Sequence, residues 1–319
     1  MRTLGGITVW LLVSWAVGVA AQDYPSRSIK IVVPFPAGGT ADLLPRLIGE
    51  KLAAKWGQPI VIENRPGAGG NIGAELVAKA EPDGYTLLST PPPPLAMNQS
   101  LYPKLAFDPS QFVPVTVIAA VPSVLLVHPR VPATTLAEFI THVRTNPGKL
   151  NYASQGNGTT SHLTAELLKS TAGLQITHVP YKGTAPALTD LLAGQVDLAF
   201  DNLGVTLQHV KSGRLRALAV GSERRVAALP DVPTMTETYP GFLSSAWFAI
   251  VAPPKTAPEI AAKLHSAIAE AIKLPDVAKR LAEIVAEPVA GTPVQTAAFM
   301  KEEVERWRKV IQTAGVKLD

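Results

Sequence analysis

The chain of 319 residues contains no cysteine. That excludes disulfides, thiolate metal sites and lipid attachment through a cysteine. Aromatic residues make up only 6% of it, and Lys and Arg are scattered rather than clustered, so no nucleic-acid surface is indicated. No run beyond the N-terminus reaches the roughly 18 uninterrupted apolar positions of a membrane span. Catalytic and nucleotide signatures are missing too: there is no G-x-S-x-G elbow, H-E-x-x-H helix, phosphate-binding G-x-x-x-x-G-K-[ST] loop or calcium loop. The histidines at 128, 142, 162, 178, 209 and 265 have no short ligand spacing, so neither a metal nor a cofactor is expected.

What is present starts with a charge at Arg2, an apolar stretch from Ile7 to Val19 and the small-residue site Val19-Ala20-Ala21. Residues 1–21 therefore read as a secretory signal, with an uncleaved anchor as the alternative. Export of a cysteine-free chain suits a bacterial periplasm better than a eukaryotic secretory route. The formal charge of +4 drops by one when Arg2 leaves, a mild bias toward anionic ligands. The remaining length, at roughly 100 to 200 residues per domain, suggests two domains.

Strand-like and helix-like runs alternate, the pattern of a parallel α/β sheet. The strands expected are Ile29 to Phe35, Pro59 to Ile62, Tyr85 to Ser89, Val115 to Val121, Val124 to Val127, Asn151 to Ala153, Thr177 to Tyr181, Val196 to Asp201, Arg216 to Val220 and Ala246 to Ala252. Ile260, Leu264, Ile268 and Ile272 form one core-facing helical stripe; Met300, Val304, Trp307 and Ile311 form another before Gly315. Chain crossings at Val121-Pro122-Ser123 and at Ala246 to Ala252 predict a discontinuous first lobe, residues 23–122 and 248–319. Residues 123–247 form the second, with a ligand cleft between the two.

Several strand-to-helix junctions look able to hold an anion. Phe35-Pro36-Ala37-Gly38-Gly39 follows an apolar strand and opens a helix whose apolar face is Leu43, Leu44, Leu47, Ile48 and Leu52; the glycines allow close backbone approach and the helix start offers free N–H groups. Asp42 reads as the N-cap of that helix, with Pro45 at its third position; the carboxylate could instead hold an ammonium group or fix the glycine loop. A second cradle spans Ser154-Gln155-Gly156-Asn157-Gly158-Thr159-Thr160-Ser161-His162, with Thr159 as cap and His162 as a polar brace rather than a catalytic base. Tyr181 and Lys182 end another strand before a helix capped by Thr184, and Asp201-Asn202 end a fourth; each is either a crevice residue or an ordinary surface position. Asn64 to Gly73 approaches a dinucleotide fingerprint but has Ile72 where the last glycine belongs, so it reads as a structural turn or cleft rim, with Arg65 a loop charge or a ligand partner. Thr90 leads into Pro91-Pro92-Pro93-Pro94, a stiff loop and a candidate cleft wall.

In these motifs the chain resembles the Bug family, the periplasmic solute receptors of tripartite tricarboxylate transporters. The resemblance rests on Pro34-Phe35-Pro36-Ala37-Gly38-Gly39 with Asp42, Glu63 to Gly70, Asp83-Gly84-Tyr85-Thr86-Leu87, the Ser154 to His162 loop, Pro180-Tyr181-Lys182-Gly183 and Leu229-Pro230-Asp231-Val232-Pro233-Thr234, and it spans the chain beyond the signal. It implies a two-lobed, type-2-like periplasmic binding fold that closes on a small carboxylated solute and presents it to membrane permease subunits. The site so implied comprises Phe35, Ala37, Gly38, Gly39, Asp42, Thr90, Pro92, Ser154, Gly156, Asn157, Thr159, His162, Tyr181, Lys182 and Asp201. Backbone N–H groups of the two glycine loops would hold the carboxylate and Asp201 would line the far side, in a monomer. The proline run departs from the small polar residues usual in the family. An exported enzyme acting on a carboxylated substrate, and a ligand sensor, are the alternatives.

Overall fold

The computed structural model describes residues 24–318; the expected signal segment, residues 1–21, lies outside them. Apolar β-branched runs and one-sided helices alternate as the sequence requires. β1 (Ile29–Val33) is buried at all but Lys30 and leads through a proline turn into α1 (Thr40–Trp56). Leu44, Ile48 and Leu52 of α1 are fully buried, and Leu43 and Leu47 flank them. At about 1.5–3 kcal/mol for each such side chain, this stripe seats the helix firmly on the sheet.

The chain continues through β2 (Ile60–Asn64), α2 (Asn71–Ala78), β3 (Thr86–Thr90), a wide helical turn over Pro93–Met97 and α3 (Asn98–Leu101). β4 (Val113–Val127) follows, then α4 (Leu136–Thr145), β5 (Asn151–Ser154), α5 (Thr160–Ala172), β6 (Thr177–Pro180), α6 (Thr184–Leu192), β7 (Leu198–Asn202), α7 (Leu203–Lys211) and β8 (Arg216–Val220). β9 (Ser245–Ala252) returns the chain, and α8 (Pro258–Ile272), α9 (Pro275–Glu283), the short β10 (Glu287–Pro288) and α10 (Pro293–Ala314) complete it.

The parallel sheet expected from the alternation exists only within each half. β1 pairs in parallel with β2 and β3, and β5 with β6 and β7. Between these groups, β9 and β4 run antiparallel to their neighbours. The two strands expected around Val121 to Val124 are a single strand of 15 residues, β4. Its first part pairs with β9 and β10; from Ser123 onward it pairs with β7 and β8. Pro122 holds the last pair with β9, where the partner changes and a missing N–H is tolerated.

Each half of the sheet is covered on both faces. Apolar layers built around Leu44, Ile118 and Phe248, and around Leu88, Val117 and Trp247, enclose the first half. Layers around Phe139, Tyr152 and Phe200, and around Leu126, Leu191 and Leu203, enclose the second. The result is a mixed α/β fold of two lobes joined by β4 and β9. Leu264, Ile268 and Ile272 of α8 and Met300, Trp307 and Ile311 of α10 are buried as their spacing predicts. α10 also reaches the other lobe, its Thr313 carbonyl accepting from Ser170 Oγ of α5 at 3.2 Å.

Candidate ligand cleft

The C-terminal ends of β1, β5, β6 and β7 deliver the N-termini of α1, α5, α6 and α7 to one crevice. That is the usual ligand position in open α/β sheets, and each helix start adds partial positive charge. An inner cavity of about 30 Å³ is walled by Phe35, Pro36, Gly39, Thr40 and Ala41 on one side, and by Gln155, Thr159, Thr160, Ser161, Gly183 and Thr184 on the other. Pro91, Pro93, Ser123, Asp201, Asn202, Ala246 and Phe248 complete it. An outer cavity of about 670 Å³ shares Phe35, Pro36, Gln155, Thr159 and Gly183, and adds Gly69, Gly70, Tyr102, Gly156, Asn157, Tyr181 and Lys182 among its walls. The jaws stand close: Asn202 Nδ2 donates to Thr40 Oγ1 at 3.5 Å, and a Cβ on Gly39 would lie 3.3 Å from Thr184 Oγ1.

In the first jaw the N-cap is Gly39, not Asp42, and Pro45 falls inside the helix. The Asp42 and Leu43 N–H groups bond the Gly39 carbonyl, which leaves those of Thr40 and Ala41 without an intrahelical acceptor beside the cavity. Gly38 sits at φ +92°, where a side chain would strain the turn. Asp42 is buried and reaches back: it accepts from the Gly38 N–H at 3.2 Å, Arg46 Nε at 3.0 Å and Asn64 Nδ2 at 2.9 Å. Burial by itself would raise its pKa, but these hydrogen bonds and the Arg46 charge outweigh it and hold the carboxylate below its usual range. Asp42 thus fixes the glycine loop.

In the second jaw Thr159 is the N-cap, accepting from the His162 N–H and donating to the Gly156 carbonyl at 2.7 Å. Ser161 Oγ accepts from the Gln155 N–H at 2.9 Å. His162 Nδ1 accepts from the Gly158 N–H at 3.1 Å, and its ring stacks on His178 with centroids 4.2 Å apart. Burial pushes the pKa of each imidazole down to about 4, His178 being lowered further by His162, so both rings are neutral braces. His178 Nε2 in turn pairs with Ser154 Oγ at 2.6 Å.

The positions named from the sequence therefore separate into walls and supports. Phe35, Gly39, Thr159 and Asp201 line the inner cavity, and Gly156, Asn157, Tyr181 and Lys182 the outer one. Ala37 and Gly38 are exposed outside both, and Ser154 and His162 stand behind the second loop. Thr90 is buried in its strand, bonded to the Pro91 carbonyl, and Pro92 is buried just ahead of the wide turn and lines neither cavity; Pro91 and Pro93 form the wall instead. α6 is capped by Gly183, with Thr184 its first residue. Arg65 pairs with Glu63. Ser123, Ala246 and Phe248 were read only as parts of the chain crossings between lobes, not as wall residues.

Asp201 is 6% exposed. Its Oδ1 accepts from Gln155 Nε2 and from the Asn202 N–H at 2.7 Å. Burial raises its pKa to about 7 despite both bonds.

The sequence profile described as "Tripartite tricarboxylate transporter family receptor" matches residues 44–316. The chain belongs to this receptor family. Protein BugT of Bordetella pertussis (strain Tohama I) is 41% identical to it over 306 residues, covering 95% of this chain and 94% of that protein. Among solved structures, R. palustris Rpa4515 with adipate superposes with a TM-score of 0.89 at 41% identity, over 92% of this chain and 99% of its own. MatC (Rpa3494) from Rhodopseudomonas palustris with bound malate gives 0.85 at 37%, over 90% and 100%. Members of this transporter receptor family are two-lobed binding proteins rather than enzymes, which agrees with a crevice built from helix starts.

Proposed function

We propose that this receptor captures a small carboxylate between its lobes in the periplasm and hands it to membrane permease subunits. One observation carries the reading: four helix N-termini meet on one cavity whose walls hold no Lys, Arg or His. Such a site holds an anion through backbone N–H groups. The free first-turn amides of α1 and α5 are the proximal ligands for one carboxylate group. The outer cavity, with Lys182 on its wall, receives the remainder of an elongated ligand. The bound adipate and malate of two relatives support this chemistry. The lobes we assign are residues 23–122 with 248–319, and 123–247; the change of partners along β4 at Ser123 supports the first crossing.

Calorimetry against mono-, di- and tricarboxylates of increasing length tests the proposal. At least one should bind, with di- or tricarboxylates ahead of acetate; silence across the panel overturns it. Gly39→Trp should remove that binding, because even a Cβ there already approaches Thr184.

A further inference from the structure

Among the described residues Asp201 is the one ionisable side chain on the inner cavity. A carboxyl group is an odd wall for an anion site, since two ionised carboxylates in a dry cavity repel strongly. The hydrogen bonds show how it is arranged: Gln155 Nε2 and the Asn202 N–H both go to Oδ1, and Oδ2 has no protein donor among the described residues. Among the described residues no neighbouring cation compensates it. β5 and β9, and the part of β4 that pairs with β7, carry no charged residue. On α1 the Asp42–Arg46 pair braces the glycine loop outside the inner cavity, and His162 and His178 stand neutral behind α5. Glu166 and Lys169 pair with each other on α5. Lys182, before α6, lines only the outer cavity, and Asp190 is bonded by Tyr181 Oη. α7 keeps His209 and Lys211 in its last turn, away from the cleft.

We propose that Asp201 meets the ligand as a carboxylic acid, donating its Oδ2–H to a ligand carboxylate oxygen, so that capture is linked to one proton on Asp201. This rests on the carboxylate-receptor reading above. The acid–carboxylate hydrogen bond is charge-assisted and therefore strong, and the pair carries a single negative charge that the helix N-termini can balance. The proton comes from solvent when Asp201 is ionised beforehand, and no covalent bond changes. Before any ligand binds, burial outweighs the two hydrogen bonds and holds the group protonated to about pH 7. The bound ligand, adding negative charge, holds the proton to still higher pH.

The experiment is titration calorimetry with adipate and with malate from about pH 6 to about pH 9, where their carboxylates are ionised. Measurements in two buffers of different ionisation enthalpy report the protons exchanged. Expected are a nearly constant affinity below about pH 7, a loss approaching about tenfold per unit above it, and uptake rising toward one proton per ligand. Asp201→Asn presents an N–H donor at every pH, so it should lose this pH dependence and bind more tightly than the wild type at about pH 9. Binding without proton uptake, or affinity rising with pH as for a carboxylate gripping a ligand ammonium, overturns the inference and leaves the receptor reading intact. No binding by either probe or by the wider panel overturns both. If Asp201→Asn does not fold, the wild-type proton count decides.

Discussion

The two glycine cradles do the same job with opposite chemistry. The loop before α1 is held by a buried, ionised carboxylate whose charge is met by the half-exposed Arg46. The loop before α5 is held by hydroxyls, a neutral imidazole and a backbone cap, nearly all buried. A charged brace works where a cation and several donors meet it; a neutral one is needed where burial would leave a charge uncompensated. One jaw should therefore respond to salt and the other to acid.

The largest test of that contrast is acid. His162 and His178 refuse protons in the folded state down to about pH 4, whereas an unfolded histidine accepts them near pH 6.5. Their contribution is thus present above about pH 6.5 and lost as pH falls toward 4. Asp201 acts oppositely: folded, it keeps its proton to about pH 7, while the unfolded group releases it near 3.8, so its contribution falls as pH rises through that window. Denaturant titrations at several pH values should show the two partly cancelling, and Asp201→Asn should steepen the acid-side loss. A stability flat in pH for the variant would mean that the histidines are not neutral braces.

Next in size, Asp42→Ala strands the Gly38 N–H, Arg46 and Asn64, at a cost of about 2–3 kcal/mol in denaturant stability. Carboxylate affinity should fall at least tenfold, since the loop loses its fixed shape; unaltered affinity would show that the brace does not shape the cradle. Smaller still are two matched changes. Thr159→Ala removes a cap worth about 1 kcal/mol, and Arg46→Gln weakens a half-exposed pair worth roughly 0.5 kcal/mol. In 1 M salt the Arg46 effect should fade and the Thr159 effect persist. Equal salt responses would erase the distinction between the jaws.

Much of this was legible from residue patterns because the signals were local. The buried stripes of α1, α8 and α10 follow directly from apolar spacing, and Thr159 caps through its own side chain. Gly39 and Gly183 cap with no side chain to announce them, so the hydroxyl or carboxylate nearby drew the assignment instead. Pro122 read as a break because a proline interrupts most central strands; only the exchange of partners at that step makes it harmless. Which prolines of the run face the cleft depends on the turn beginning at Pro93, a geometry that identical residues cannot encode. Ala246 and Phe248 reach the cavity through tertiary placement alone.

The unbroken run of β4 from Val113 to Val127 has a mechanical consequence. Sliding one lobe past the other would tear ladder hydrogen bonds along its length, each worth about 1 kcal/mol net. Twisting the strand about its middle breaks none. The lobes are therefore coupled through the twist of the paired strands β4 and β9, and a change in that twist turns one jaw against the other without opening a ladder.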